Sequence, residues 1–405
     1  MTAPEVVSTV WRAEAARLVA GLARMTYDLG LAEDLAQDAL VAALEQWPES
    51  GVPDNPGAWL MAVSKRRAID HFRRAARLRA LTPAVVPEPV MPDLDAAVDH
   101  IEDDVLRLMF MSCHPVLTTE SRVALTLRLV GGLSTREIAR AFLASEATVA
   151  QRISRAKRTL ASAGVPFEVP SGPERPERLA SVLEVVYLVF NEGYAATAGD
   201  DWLRPALCDE ALRLGRLLAS VAPREPEVHG LLALMLLQAS RSAARVGPSG
   251  EPVLLRDQDR TTWDAGQIAA GLVALERAGS TGMYAMQAAI AACHAVAPSV
   301  AATDWVRIAA LYGQLAAATG SPVVELNRAV AVAEAYGPAA GLAIVDALGG
   351  TPALRDYHLL PSVQGDLLVR LGRRTEAAAA FGRAAALATN EQERSLLLRR
   401  AQTQT

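Results

Sequence analysis

Residues 131–161 read GGLSTREIARAFLASEATVAQRISRAKRTLA, and their spacing predicts two short helices joined by a tight turn. Ser134 followed three residues later by Glu137 is a capping box, in which each side chain satisfies a backbone amide that the first helical turn leaves without a partner. Ile138, Ala139, Phe142 and Leu143 then give the first helix one apolar face. Ser145 is a good cap for a second helix, whose Val149, Ile153, Ala156 and Leu160 recur every three or four residues. That pattern leaves Gln151, Arg152, Ser154, Arg155, Lys157 and Arg158 on the outward side, with Thr148 and Ala150 near its start. Arg pairs bidentately with guanine, Gln reads adenine, and flanking Lys or Arg neutralises phosphates. A helix-turn-helix that enters the major groove fits this arrangement, and so does a structural hairpin with a solvated second helix.

Working outward, the chain is long, apolar and mildly acidic. Its 405 residues, 51% apolar, suffice for two or three cores. The apolar excess is Ala, Leu and Val with 5% aromatic residues, a mix that favours packed helices, so an all-α protein is expected. A net charge of −5 excludes a protein that coats nucleic acid over its whole surface, so DNA contact must come from local patches. Two exist. Between Lys65 and Arg79 seven cationic residues face one acid, Asp70, and between Ser134 and Leu160 six face Glu137 and Glu146. Cys113, Cys208 and Cys293 lie far apart without a C-x-x-C pair, which suggests neither a disulfide framework nor a zinc ribbon and fits a reducing cytoplasm. The amino terminus has no signal-peptide pattern and no run of 18 apolar residues occurs, so neither export nor membrane spanning is expected.

Two proline-rich stretches divide the chain, because Pro removes a backbone donor and fixes φ. One holds Pro83, Pro87, Pro89 and Pro92 and leads into Asp99, Glu102, Asp103 and Asp104; the other holds Pro166, Pro170, Pro173 and Pro176. The expected division is a helical domain at 1–80, a linker at 81–104, the helix-turn-helix domain at 105–163, a linker at 164–177 and a helical extension at 178–405. In the first domain LAEDLAQDALVAALEQW (31–47) sets Asp34, Gln37 and Asp38 on one turn, with Leu35, Ala39, Leu40, Ala43 and Leu44 facing inward. Acids near a helix start also simply favour the helix dipole. Pro56-Gly57-Ala58-Trp59-Leu60 opens a further helix that runs through Ala68-Ile69-Asp70 into Arg73-Arg74.

These residues together resemble sigma factors of bacterial RNA polymerase, of the extracytoplasmic-function (ECF) type in the sigma-70 family. Gly-Leu-Ser, Glu-Ile-Ala, Thr148-Val149 and Arg155-Ala156-Lys157 follow the order of that family's region four, and residues 18 to 79 follow its region two. The resemblance implies that Asp34, Leu35, Gln37 and Asp38 bind the polymerase clamp. It implies too that the loop from Gly51 to Pro56, with Asp54 and Asn55, holds a flipped base of the minus-ten element, and that Lys65, Arg66, Arg67, Arg73 and Arg74 contact its backbone. Opening needs a surface that gains more from an unstacked base than from a paired one, which positive charge beside a rigid pocket provides. The minus-thirty-five element would be met by Thr148, Ala150, Gln151, Arg152, Ser154, Arg155, Lys157 and Arg158. Two positions depart from the family pattern. Ala150 stands where Arg is frequent, and can touch a thymine methyl but cannot read guanine. Arg66 stands where a small polar residue usually lines the base pocket. Trp59 is expected in the core.

Beyond Glu177, SVQGDLLVRLGRRTEAAAAFGRAAALA (362–388) places Gly365, Leu368, Gly372, Ala377, Phe381 and Ala384 at tetratricopeptide offsets, and residues 324–348 follow a looser form. The order of region two, region four and such an extension looks like one ECF subgroup, as do LVFNEGY, RDQDRTTWD and LNRAVAVAE. It implies regulation by the attached domain, with a peptide or protein partner on the repeats. Core RNA polymerase and promoter DNA are the other expected partners, with no cofactor, no metal and no enzymatic activity of its own. Cys113-His114 and Cys293-His294 lack a third ligand at useful spacing, and Asp257, Asp259 and Asp264 read as caps and turns. Two other functions remain open on the sequence: a helix-turn-helix regulator with a ligand- or peptide-sensing repeat domain, and an enzyme housed in residues 177–405.

Overall fold

In a computed structural model of the protein, residues 3–80, 101–195, 203–247 and 251–404 are described. Among them the fold is all-α, with only an isolated bridge between Val246 and Pro252. No helix there is long and apolar enough to cross a membrane. The chain divides into two compact units, Met1–Leu188 and Val189–Thr405.

The first unit begins with α1 (Ala3–Thr26), α2 (Leu29–Ser50) and α3 (Pro56–Ala80). Asp28 caps α2 by accepting the amides of Gly30 and Leu31 at 2.8 and 3.0 Å, and Asn55 caps α3 through the amide of Ala58 at 3.0 Å. Leu18, Val19 and Leu22 of α1 are buried with Leu35, Ala36, Ala39 and Ala43 of α2 and Leu60 and Ala68 of α3. The many alanines let backbones approach closely. There follow α4 (Ile101–Ser112), α5 (Thr119–Leu129), α6 (Thr135–Ala141), α7 (Glu146–Ser162) and α8 (Glu174–Tyr194), the last running across the boundary of the two units.

One expected boundary moves. Asp104, assigned to the first linker, lies on α4 and is 1% exposed, because Arg24 and Arg107 pair with it at 2.9 and 2.6 Å. Residues 101–103 of that linker lie on α4 as well, and residues 81–100 lie outside the described residues. The extension was expected to start at 178, and the division into two compact units falls ten residues on, within α8. The reason is that α8 closes the end of α4. Arg178 donates to the carbonyl of Phe110 at 3.0 Å and Ser181 to that of Cys113 at 2.5 Å, groups that a helix end leaves without an internal partner. Arg122 of α5 adds bonds to Ser181 and Glu184 at 2.6 and 2.9 Å.

The second unit continues with α9 (Pro205–Val221), α10 (Pro226–Ala239), α11 (Ala265–Ala278), α12 (Met283–Val296), α13 (Trp305–Thr319), α14 (Pro322–Tyr336), α15 (Pro338–Leu348), α16 (Leu359–Arg370), α17 (Arg374–Leu387) and α18 (Glu391–Gln402). Each helix packs on the next for most of this run. Pro opens α9, α10, α14 and α15, where its missing N–H has no helical partner to lose. Asp259 and Asp264 act as caps, accepting the amides of Thr261 and Gln267 at 2.9 Å each. Leu368, Ala377, Phe381 and Ala384 share one core between α16 and α17. Gly365 is dictated by Phe381: a Cβ at 365 would stand 2.6 Å from the ring's Cε1, and the ring is fully buried. Gly365→Ala is therefore expected to destabilise the second unit. Overpacking of about 1–3 kcal/mol outweighs the gain of about 0.5–1 kcal/mol in helix propensity, and a lowered denaturant midpoint at unchanged slope checks it.

Candidate nucleic-acid interface

The helix-turn-helix forms through its caps. Ser134 accepts the amide of Glu137 at 3.2 Å while Glu137 accepts the amide of Ser134 at 2.8 Å, and Ser145 caps α7 through Thr148 at 3.1 Å. In the turn Leu143 adopts φ 49° with its side chain exposed, a left-handed conformation costly for a residue with a branched side chain. Val149, Ile153, Ala156 and Leu160 are buried. Thr148, Ala150, Gln151, Ser154, Arg155 and Arg158 are exposed and Arg152 is half-buried, so one face of α7 presents three arginines and a glutamine together.

Lys157 departs from the expected outward position. Its ammonium turns toward α2 and pairs with Glu33, which also receives Arg128 of α5 at 2.6 Å and Gln37 at 2.7 Å. Glu33 is 6% exposed. Burial alone would raise its carboxyl, but Lys157 and Arg128 outweigh burial and hold it below the ordinary carboxylate value. A lysine at the edge of a helix face has the reach to choose either side, and here the attraction of a buried carboxylate decides.

This node is one of several ties between α1–α3 and α4–α7. Trp11 donates to the carbonyl of Gly132 at 3.0 Å, Arg12 pairs with Glu137 at 2.6 Å, and Arg24 pairs with Asp104. Burial tends to raise the Glu137 carboxyl, while Ser134 and Arg12 lower it by more. The sequence reading missed Glu33, Arg128 and Arg12. A signal existed for the first two, since each charge sits among buried apolar neighbours, Ala32 and Leu35 or Leu127 and Leu129.

On α2, Asp34 and Asp38 are exposed and Gln37 is half-buried, beside exposed Val41 and Leu44. Leu44 was expected to face inward and does not. Leu35, assigned to the polymerase contact, is 4% exposed and belongs to the core, because it lies on the stripe that packs on α1 and α3. Asp38 pairs with Arg67 of α3 at 3.0 Å, so the acidic face and the basic helix touch. Along α3, Arg66, Arg73 and Arg74 are exposed and Lys65 and Arg67 half-buried. Asp54 and Asn55 are exposed in the loop before it, and Asn55 spends its side-chain oxygen on the cap. Trp59 is half-buried and meets Trp47 edge-on at 5.4 Å.

The cysteine–histidine pairs occupy other settings. Burial pushes the thiols of Cys113 and Cys208 up to about 12 and raises that of Cys293. Burial, then Arg241 and Arg260, lower His294 to about 4. Among the described residues no three His, Cys, Asp or Glu side chains gather as a metal site.

Residues 11–78 match the family model for sigma-70 region 2, residues 107–160 that for sigma-70 region 4, and residues 178–279 a family of unknown function, DUF6596. The chain is 46% identical over 384 residues to the uncharacterized protein R00370 of Rhizobium meliloti (strain 1021), covering 92% of this chain and 89% of that one. It is 32% identical over 143 residues to the ECF RNA polymerase sigma factor SigL of Mycobacterium tuberculosis, covering 34% of this chain and 76% of SigL. Identity to the probable ECF RNA polymerase sigma factor SigI of that organism is 29% over 182 residues, 43% of this chain and 61% of SigI.

Proposed function

The chain belongs to the extracytoplasmic-function sigma factors of the sigma-70 family, which act in transcription initiation, and from that premise we propose how its own residues divide the work. Core RNA polymerase is bound by the exposed face of α2 at Asp34, Gln37 and Asp38. The minus-thirty-five element is read by Ala150, Gln151, Ser154 and Arg155 of α7. Arg66, Arg73 and Arg74 of α3, with Lys65 and Arg67 beside them, hold the opened minus-ten strand, and the loop with Asp54 and Asn55 takes the flipped base. The observation that carries this reading is the exposed basic face of α7 behind two side-chain caps, in the same unit as the exposed arginines of α3. Catalysis belongs to the polymerase, and the reading places the protein in the cytoplasm.

The second unit is read as regulatory, a set of tetratricopeptide-like helix pairs that takes a peptide or protein partner. A groove of 380 Å³ in that unit, lined by Leu272, Leu275, Ala289, Cys293, Val296 and Arg307 among others, supports it.

Run-off transcription with purified core polymerase on upstream fragments from the host genome tests the proposal; absence of any product from fragments that bind the chain would overturn it. On an active fragment, Arg155→Ala is expected to cost about 1–3 kcal/mol and to relax selectivity at one upstream base pair. Unchanged selectivity there would mean that α7 presents another face to DNA.

A further inference from the structure

Two stretches outside the sigma regions, LVFNEGY (188–194) and RDQDRTTWD (256–264), come together around three arginines. Arg245 donates to the carbonyl of Tyr194 at the end of α8 and stacks on its ring, the guanidinium carbon 3.5 Å from the ring centre. Arg241 lies over the same ring at 5.7 Å. Arg260 stands 4.9 Å from the centre of the Trp263 ring and donates to the carbonyls of His294 and Ala297, at 2.8 and 2.7 Å, where α12 ends. A bond of 2.8 Å from the Asp264 amide to the Ser240 carbonyl ties the Arg260 turn to the base of Arg241.

Fastening helix ends accounts for part of what Arg245 and Arg260 do, and it leaves the positive charge of the cluster unanswered. Arg241 bonds to the Gln238 side chain at 2.6 Å and Arg260 to two carbonyls and the Thr303 hydroxyl, and among the described residues no carboxylate pairs with either arginine. Asp259 and Asp264, on the same turn, spend their oxygens as caps. Burial, then Arg241, lower the Arg260 guanidinium; burial above all lowers Arg245 to about 10, with Tyr194 opposing and Arg241 helping. Gathered cations without an anion are costly where water is partly excluded. Donors are in surplus as well. Tyr194 and Trp263 are 9% and 7% exposed, and the Tyr194 hydroxyl, Trp263 Nε1 and Arg260 Nε are buried without a hydrogen-bond partner, where buried donors ordinarily have one.

We propose that Arg241, Arg245 and Arg260, with the Tyr194 hydroxyl and the Trp263 indole, form a binding site for a small phosphate-bearing ligand. A phosphoryl group brings a charge of about −1.5 to −2 and three strong acceptor oxygens, and guanidinium forks match it bidentately. One such group therefore answers both the unpaired charge of Arg241 and Arg260 and the unpartnered donors, whereas a carboxylate has one charge and two oxygens for the same task. The burial of Tyr194 and Trp263 selects a ligand small enough to be enclosed. Occupancy would join the ends of α8, α10 and α12 to the 260–263 turn and stiffen the second unit. The inference goes beyond the sigma-factor reading and does not rest on it.

The test titrates the full chain with inorganic phosphate at fixed ionic strength, by calorimetry and by thermal melting. Saturable binding is expected, with a melting temperature that rises with phosphate, because a ligand that binds only the folded state stabilises it. Arg241→Gln should weaken binding by about tenfold or more, the loss of one charge-assisted hydrogen bond, and Tyr194→Phe by about three- to tenfold, the loss of a neutral one. Arg277→Gln, at an exposed position of α11, should leave the saturable phase as it is, which separates the site from general attraction to surface arginines. No saturable phase in the wild type, or wild-type affinity in a folded Arg241→Gln, would overturn the site. If that variant does not fold, unchanged affinity in Tyr194→Phe, which removes a single oxygen, overturns it instead. Acetate should bind more weakly than phosphate, and equal affinity for the two would remove the phosphate assignment. A phosphoserine peptide that binds more tightly than free phosphate would overturn the assignment to a small ligand. Neither polymerase nor DNA is present, so failure of run-off transcription leaves this result standing.

Discussion

Replacing Asp34 and Asp38 together by arginine is expected to abolish co-purification with core RNA polymerase while leaving the fold intact. Both carboxylates are exposed on α2, so no core contact is lost. Asp38 does surrender its pair with Arg67, but both side chains are more than a third exposed, and such pairs contribute about 0–1 kcal/mol at most. Within a complex the effect is larger, because a reversed charge meets a desolvated partner of its own sign. Losing one member of a buried charge pair costs about 2–5 kcal/mol, and two reversals should lower affinity by at least about a hundredfold. Pull-down and thermal melting of the same sample separate the two effects. Retained co-purification would remove polymerase binding from α2 and favour a helix-turn-helix regulator that acts without it.

A comparably large effect is expected from where the chain is cut. A protein ended at Pro170 keeps every helix of the two sigma regions but loses α8, and with it the partners of the Phe110 and Cys113 carbonyls and the Ser181 and Glu184 partners of Arg122. Leu179, Val182 and Leu183, all buried, go as well, at about 1.5–3 kcal/mol each. Domains of this size are stable by about 5–15 kcal/mol, so the shorter protein should be marginal or insoluble, whereas one ended at Leu188 should melt cooperatively. Equal melting temperatures for the two would show that α8 does not support region four. The result bears on any measurement of how the second unit regulates, since a cut in the proline-rich stretch removes part of the first unit too.

What could be read from the sequence followed from local rules. The Ser134–Glu137 box, the Ser145 cap and the spacing of Val149, Ile153, Ala156 and Leu160 need only neighbours within a turn or two, and each is present. Gly365 and Phe381 were legible because their offset is set by one helix hairpin. Long-range charge was not. Lys157 looks outward when α7 is drawn alone, and only the buried carboxylate of Glu33, far away in the chain, turns it inward. Leu35 was misassigned for a related reason, since a motif names a helix but not which of its residues the core has already taken. The same limit governed α8, whose Arg178 and Ser181 look like solvent-facing residues until the end of α4 is beside them.

The three buried cysteines bear on what kind of stimulus the protein can answer. Oxidants attack the thiolate, and a thiol at about 12 is ionised in only about one molecule in 100,000 at neutral pH. Cys113 is shut behind α8 and hydrogen-bonded at 3.2 Å to Thr126, Cys208 is on the buried face of α9 with its sulfur 3.9 Å from the carbonyl of Phe190, and the Cys293 thiol is raised as well. Disulfide stress therefore meets no reactive thiol on this chain while it stays folded. News of such stress then reaches the protein through a bound partner or through its own abundance, not by covalent change at a cysteine.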